Sequence, residues 1–205
     1  AKALMAALTL AAAAHRLTIH RRTTLPSLRK NDPPRSVLII GGSGDVGVAT
    51  AALFGAHGWR VGLASRSIEK LQRAQASVQR TCPSQVWIHS MDVTNYESVA
   101  SGLRAFAADV GTIDAVVNAS GIFILNYTAE TAPADLSNMV RINTEGALNV
   151  LRAALPAMSS NPGSGGGGGS GGGGRVVTMS SLASVCGVPF AAGYSASKAF
   201  VHSLT

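Results

Sequence analysis

Tyr194 and Lys198 stand four residues apart in the run Tyr194-Ser-Ala-Ser-Lys198, and Ser181 lies thirteen residues before the tyrosine. On a helix such a pair shares a face about one turn apart, which brings an ammonium within several ångströms of a phenol. A cation there favours the phenolate: at about 4 Å and an effective dielectric near 20, Coulomb's law gives about 4 kcal/mol. That is roughly the work needed to bring a tyrosine's proton loss from about pH 10 to near neutrality. The same spacing also fits a half-buried tyrosine beside a solvated lysine, so the pair takes its meaning from the rest of the chain.

A second group of residues could hold an anion. Gly41-Gly42-Ser43-Gly44-Asp45-Val46-Gly47 follows the apolar run Ser36-Val-Leu-Ile-Ile40 and precedes a helical pattern. Glycines in a strand-to-helix turn let the backbone bend sharply and bring its N–H groups, with the helix N-terminus, onto a pyrophosphate. No Gly-Lys-Ser/Thr ending is present, so a triphosphatase loop is not supported. Where an acidic residue would bind the ribose hydroxyl of NAD, the chain has Ser65-Arg66. An arginine there can pair with the additional phosphate of NADP, which makes NADP(H) the expected cofactor ahead of NAD(H).

These residues need a scaffold, and the apolar pattern supplies one. Ser36–Ile40, Trp59–Ala64, Gln85–His89, Ile113–Asn118 and Arg175–Met179 read as strands. Helices are expected over Asp45–His57, Ser67–Arg80 with Ser67 as N-cap, Asn95–Asp109, Ala134–Ala157 and from Ala192 onward. Such alternation implies an α/β fold of the Rossmann type, a doubly wound parallel sheet covered by helices on both faces in three layers. The run 161–174, almost entirely Gly and Ser, cannot bury apolar surface and is expected as a flexible loop inserted in one domain spanning 36–205.

With 205 residues and 46% hydrophobic content, the chain is long enough for one such domain. Residues 1–35 hold seven Lys and Arg against Asp32 alone, a net +6 of the chain's +7, which leaves +1 for the remainder. A nucleic-acid-binding surface on the globular part is therefore not indicated. The leader is basic, hydroxylated and acid-poor, a composition that suits a transit peptide, with plastid or mitochondrion as destination; otherwise a cytoplasmic location is expected. Its Ala/Leu run is too short to span a bilayer, and no transmembrane segment is expected. Cys82 and Cys186 make no disulfide framework, and the five histidines form no zinc-ligand pattern, so no metal is expected.

Together, the residues from about Ser36 to Thr205 resemble the short-chain dehydrogenase/reductase family. Gly41 to Gly47 is similar to its nucleotide loop, Asp92-Val93-Thr94 to its adenine-contacting segment, and Asn118-Ala119-Ser120-Gly121 to its Asn-Asn-Ala-Gly motif. Asn143 and the trio Ser181, Tyr194 and Lys198 match the family's catalytic residues in order and spacing. The resemblance implies reduction of a ketone or aldehyde, or the reverse oxidation, with a small carbonyl or alcohol substrate. Tyr194 would donate the proton and Lys198 would assist it and bind the nicotinamide ribose. Ser181 would bind the carbonyl oxygen, and Asn143 would hold a relay water. Gly41, Ser43, Gly44, Val46, Gly47, Ser65, Arg66, Asp92, Val93, Asn118, Ala119, Gly121, Tyr194 and Lys198 would contact the cofactor.

Pairing as a homodimer or homotetramer is also implied. Three departures stand out: Asp45 falls where the smaller members place a glycine, Ala119 and Ser120 replace Asn and Ala, and the chain is expected to be truncated before most of the substrate cover. Two other readings stay open: an NADP-binding protein or fragment with impaired catalysis, and an extended-type enzyme acting on a nucleotide sugar, which the Gly41, Gly44, Gly47 spacing suggests.

Overall fold

Five short strands, each with an apolar centre, assemble into one parallel sheet in the order β3-β2-β1-β4-β5. They are β1 (Ser36–Ile40), β2 (Arg60–Ser65), β3 (Trp87–Ser90), β4 (Ala115–Asn118) and β5 (Arg175–Thr178). This computed structural model describes residues 34–159 and 173–204. The basic leader and nearly all of the Gly/Ser insertion lie outside the described residues. All described residues belong to a single compact unit, Pro33–Thr205.

The central strand explains why the chain folds in layers. Every residue of β1 is buried, and its side chains alternate between two cores. Val37 and Ile39 face one core, with Val61, Leu63 and Val117 from the sheet and Ala51, Leu71, Ala74 and Val78 from helices α1 (Asp45–Ala56) and α2 (Ile68–Gln79). Leu38 and Ile40 face the other, with Val99, Leu103 and Phe106 of α3 (Tyr96–Val110) and Val150, Ala153 and Ala154 of α5 (Gly146–Ser159). A strand covered on both sides has no reason to alternate polar with apolar residues, which is why SVLII is almost uniformly apolar. The edge strand β5 is less covered and alternates exposed with half-buried residues.

Side chains on the chain itself start two helices. Ser67 accepts the Lys70 N–H at 3.2 Å and Asn95 accepts the Ser98 N–H at 3.1 Å, satisfying donors that a helix start leaves orphaned. The expected long helix Ala134–Ala157 is instead two helices, α4 (Pro133–Val140) and α5, joined by a π-turn over Arg141–Glu145. In that turn the Gly146 N–H reaches back five residues to the Arg141 carbonyl. The widening centres on Asn143, whose side chain is bonded outside its own helix. A final helix, α6 (Ala192–Leu204), carries Tyr194 and Lys198 and packs against α4 and the π-turn. No described helix is long and apolar enough to cross a membrane.

Candidate active site

The carboxyl ends of β1, β2 and β4 open onto a cleft of about 300 Å³. Its floor is the glycine turn. Gly41 adopts φ +83°, and its N–H and that of Gly42 both donate to the Ala64 carbonyl, at 2.8 and 3.1 Å. A Cβ on Gly41 would stand 2.6 Å from the backbone of Ala119 and Ser120, so only glycine lets the β1 and β4 loops meet. Gly47 is buried where a Cβ would run into the Gly41 carbonyl oxygen. Gly44 is the N-cap of α1, and no side chain caps that helix, leaving its first-turn N–H groups to water or an anion. Asp45 and Val46 are exposed and do not line the cleft, so the misplaced carboxylate stays out of it.

At one end the cleft is basic. Ser43 and Ser65 bond through their hydroxyls at 2.9 Å, and beyond them Arg66 and Lys70 both line the space. Lys70 escapes a sequence reading because it looks like a solvated lysine in an exposed helix turn; its signal is its place one turn after Arg66. Met91 and Val93 line the cleft, whereas the Asp92 carboxylate between them is turned onto Thr94, accepting its N–H and hydroxyl at 2.9 Å each. Asn118 is buried, and its Oδ1 accepts the N–H (3.1 Å) and hydroxyl (2.6 Å) of Ser120. The serine that replaces the expected alanine thus fixes the asparagine, while the Ala119 N–H donates to Ile40.

Behind Gly121 stand the reacting candidates. Lys198 is 95% buried in spite of its charge, and its Nζ donates to the Met179 carbonyl at 2.8 Å and lies 5.8 Å from the centre of the Tyr194 ring. Burial pushes its ammonium below the ordinary lysine range, because desolvation disfavours the charged form. Asn143 accepts the Ile122 N–H at 2.9 Å and donates to the Ile122 carbonyl and the Ser197 hydroxyl, each at 3.0 Å. A Cβ on Gly121 would meet Asn143 Oδ1 at 3.3 Å and Lys198 Nζ at 3.5 Å, so this cleft residue joins the reacting end to the glycine turn.

Ser181 is held less directly. Its Oγ accepts the Ala183 N–H at 3.2 Å, starting a short turn over Leu182–Ser184 that packs against α6. The segment leading to it is tied to Lys198 twice: Met179 accepts from Nζ, and the Ser180 hydroxyl donates to the Lys198 carbonyl at 3.1 Å. The fold therefore gathers Gly121, Asn143, Tyr194 and Lys198 at one place, and brings Ser181 there through its backbone rather than its hydroxyl.

A glycine turn at the carboxyl edge of a parallel sheet, with a Tyr/Lys helix beside it, is the layout of a dinucleotide-binding fold. The model of the short chain dehydrogenase family matches residues 35–205, and the chain belongs to that family. A 3-dehydrosphinganine reductase of Arabidopsis thaliana is 34% identical over 131 residues, which make up 64% of this chain and 38% of that protein. The structure of NAD+-bound xylitol dehydrogenase superposes with a TM-score of 0.74 at 29% identity, covering 83% of this chain and 62% of that one. An actinorhodin polyketide ketoreductase with NADPH gives 0.73 at 25% identity, covering 84% and 62%. This chain thus spans less than two thirds of the length of each of these relatives.

Proposed function

We propose that this chain provides the cofactor-binding and reacting part of an NADPH-dependent carbonyl reductase, interconverting a ketone or aldehyde with its alcohol. The observation that carries the reading is that Asn143 and Lys198, with Tyr194 beside the lysine, gather behind Gly121, which lines the same cleft as Arg66 and Lys70. The residues present fit a dinucleotide. The glycine turn lets the β1 and β4 loops meet closely beneath the cleft, and the start of α1, capped by no side chain, opens onto it at Gly44. Related structures carry NAD+ in one case and NADPH in another. Two cations and no carboxylate line the adenosine end, which favours the cofactor with the extra phosphate.

When bound, the nicotinamide supplies or accepts the hydride. The remaining work falls to side chains. Tyr194 gives its hydroxyl proton to the carbonyl oxygen during reduction, and the buried ammonium of Lys198 favours the negative charge left on that ring. Because the Ser181 oxygen accepts from Ala183, its own O–H remains to donate to the carbonyl oxygen as charge develops there. Asn143 locks the Ile122 backbone and Ser197, keeping the floor of the site in register with α6, and one lone pair of its Oδ1 is left for a relay water.

The test is a steady-state assay with NADPH and a panel of ketones and aldehydes, comparing the chain with Tyr194→Phe. General-acid loss should slow turnover by about 10²–10⁴-fold. Equal rates would sink the assignment. One other reading is a cofactor-binding protein without turnover. NADPH binding with no oxidation against any carbonyl would select it.

A further inference from the structure

Past Gly121 the chain runs along the mouth of the reacting end, and its first two side chains are rigidly placed. Asn143 grips Ile122 by both N–H and carbonyl, so the backbone that carries Phe123 is fixed. The Phe123 ring lies edge-on to the Tyr194 ring, 4.7 Å between centres and 85° between planes, yet 52% of the residue is exposed. A few residues on, the Asn126 N–H donates to the Phe190 carbonyl at 2.8 Å, and Tyr127 meets Phe190 edge-to-face at 4.7 Å and 83°. Phe190 has φ +65°, alone among the described non-glycine residues in the left-handed region. A bulky side chain persists there only where its surroundings over-determine it. Four rings from two segments, the candidate proton donor Tyr194 among them, thus form two edge-to-face pairs tied by one backbone bond.

The chemistry of these segments is uniform. From Ala115 to Ala129, and again from Val176 to Ser197, the chain has no Asp, Glu, Lys, Arg or His. The first cation after them, Lys198, is buried and committed to Met179. A carboxylate or phosphate at this mouth would lose water and find no charged partner on either segment. A hydrocarbon body would exchange water for ring edges and faces. Exposed apolar groups that continue into a reacting site mark a place where something apolar binds.

We propose that the substrate is a ketone whose carbonyl is carried on a hydrocarbon body, and that Phe123 and Phe190 are the side chains that select it. This rests on the carbonyl-reduction reading, because only that reading places the carbonyl at Tyr194. Phe123 acts at the rim, meeting the body of the substrate while its contact with Tyr194 keeps the phenol turned toward the carbonyl.

The experiment is calorimetric binding rather than turnover. The full chain is saturated with NADP+, so that nothing reacts, and titrated with butanone, hexanone and octanone and with a keto acid of matched length. The series is repeated without NADP+ and with Phe123→Ser and Phe123→Leu, with NADP+ affinity checking that each variant is folded. Affinity should rise by about two- to fourfold per added methylene, with the keto acid weaker than its neutral counterpart. Phe123→Ser should flatten the series and Phe123→Leu should restore most of it. A flat series in the unsubstituted chain, a keto acid that binds as tightly, or an unchanged slope in Phe123→Ser would overturn the proposal. So would a flat series together with self-association that Phe123→Ser abolishes, which would make the rim an interface between copies. Failure of the carbonyl-reduction reading is a separate result, an absence of NADPH oxidation and of any Tyr194→Phe effect, and it leaves the binding slope readable.

Discussion

Gly41 and Gly58 make a matched pair of perturbations. Both adopt positive φ, +83° and +79°, but a Cβ on Gly41 meets the backbone of Ala119 and Ser120 at 2.6 Å, while one on Gly58 meets nothing within 4 Å. An L-residue held in the left-handed region costs about 1–2 kcal/mol. Stiffening the unfolded chain returns about 0.4–1 kcal/mol of this at either position. Gly58→Ala should therefore cost about 1 kcal/mol. Gly41→Ala carries the same strain plus overpacking against backbone that cannot rotate away, a further ~1–3 kcal/mol, for a total of about 2–4 kcal/mol. For a chain of this size that is roughly 4–16 °C in Tm, against about 2–4 °C for Gly58→Ala. Ala119 and Ser120 also line the cleft, so Gly41→Ala should weaken NADPH binding and Gly58→Ala should not. Thermal melts and fluorescence titration with NADPH read both effects. Equal destabilisation by the two substitutions, or unchanged NADPH affinity in Gly41→Ala, would refute the reasoning that this glycine is required by close approach.

Three further outcomes follow from the site. Asn143→Ala strands the N–H and carbonyl of Ile122 and should lower stability by about 2–4 kcal/mol, read as a shift in urea midpoint; a shift below about 0.5 kcal/mol would mean the clamp is idle. Lys198 has a folded-state pKa below its unfolded value, so between the two the unfolded chain binds more protons, and this group's contribution to stability rises with pH across that window. Urea midpoints of the chain and of Lys198→Met, compared from pH 7 upward, should therefore converge in that window if the substituted chain is the more stable at neutral pH, and diverge if it is the less stable; parallel curves would contradict the assigned burial. Replacing Arg66 with Asp should weaken NADPH binding by about 10–100-fold and leave NADH binding within a few-fold, and adding Lys70→Glu should widen the gap; unchanged preference would remove both from the phosphate site.

The sheet was legible because its signal is local. A run such as SVLII followed by glycines can be read as a buried parallel strand without knowing what covers it, and the alternation of five such runs with helices limits the topology. The Tyr194/Lys198 spacing was legible for the same reason, since the two residues share one helix. What was not legible depends on partners distant along the chain. The π-turn interrupts an unbroken helical pattern because Asn143 bonds to Ile122, 21 residues away, and to Ser197, 54 away. Lys70 reads as a surface lysine until the cleft shows which way its turn faces. The left-handed Phe190 has no sequence mark at all, because nothing short of the bond from Asn126 and the ring of Tyr127 makes that backbone necessary.

The central claim is hydride transfer to a carbonyl carbon with Tyr194 as proton donor, and isotope tracing reaches it most directly. NADPH deuterated at the transferable position of the nicotinamide, incubated with the chain and a neutral ketone, should give alcohol carrying deuterium on the carbinol carbon, formed about 10²–10⁴-fold more slowly by Tyr194→Phe. Alcohol without deuterium on that carbon, or labelled alcohol formed at the same rate by both proteins, would contradict the account.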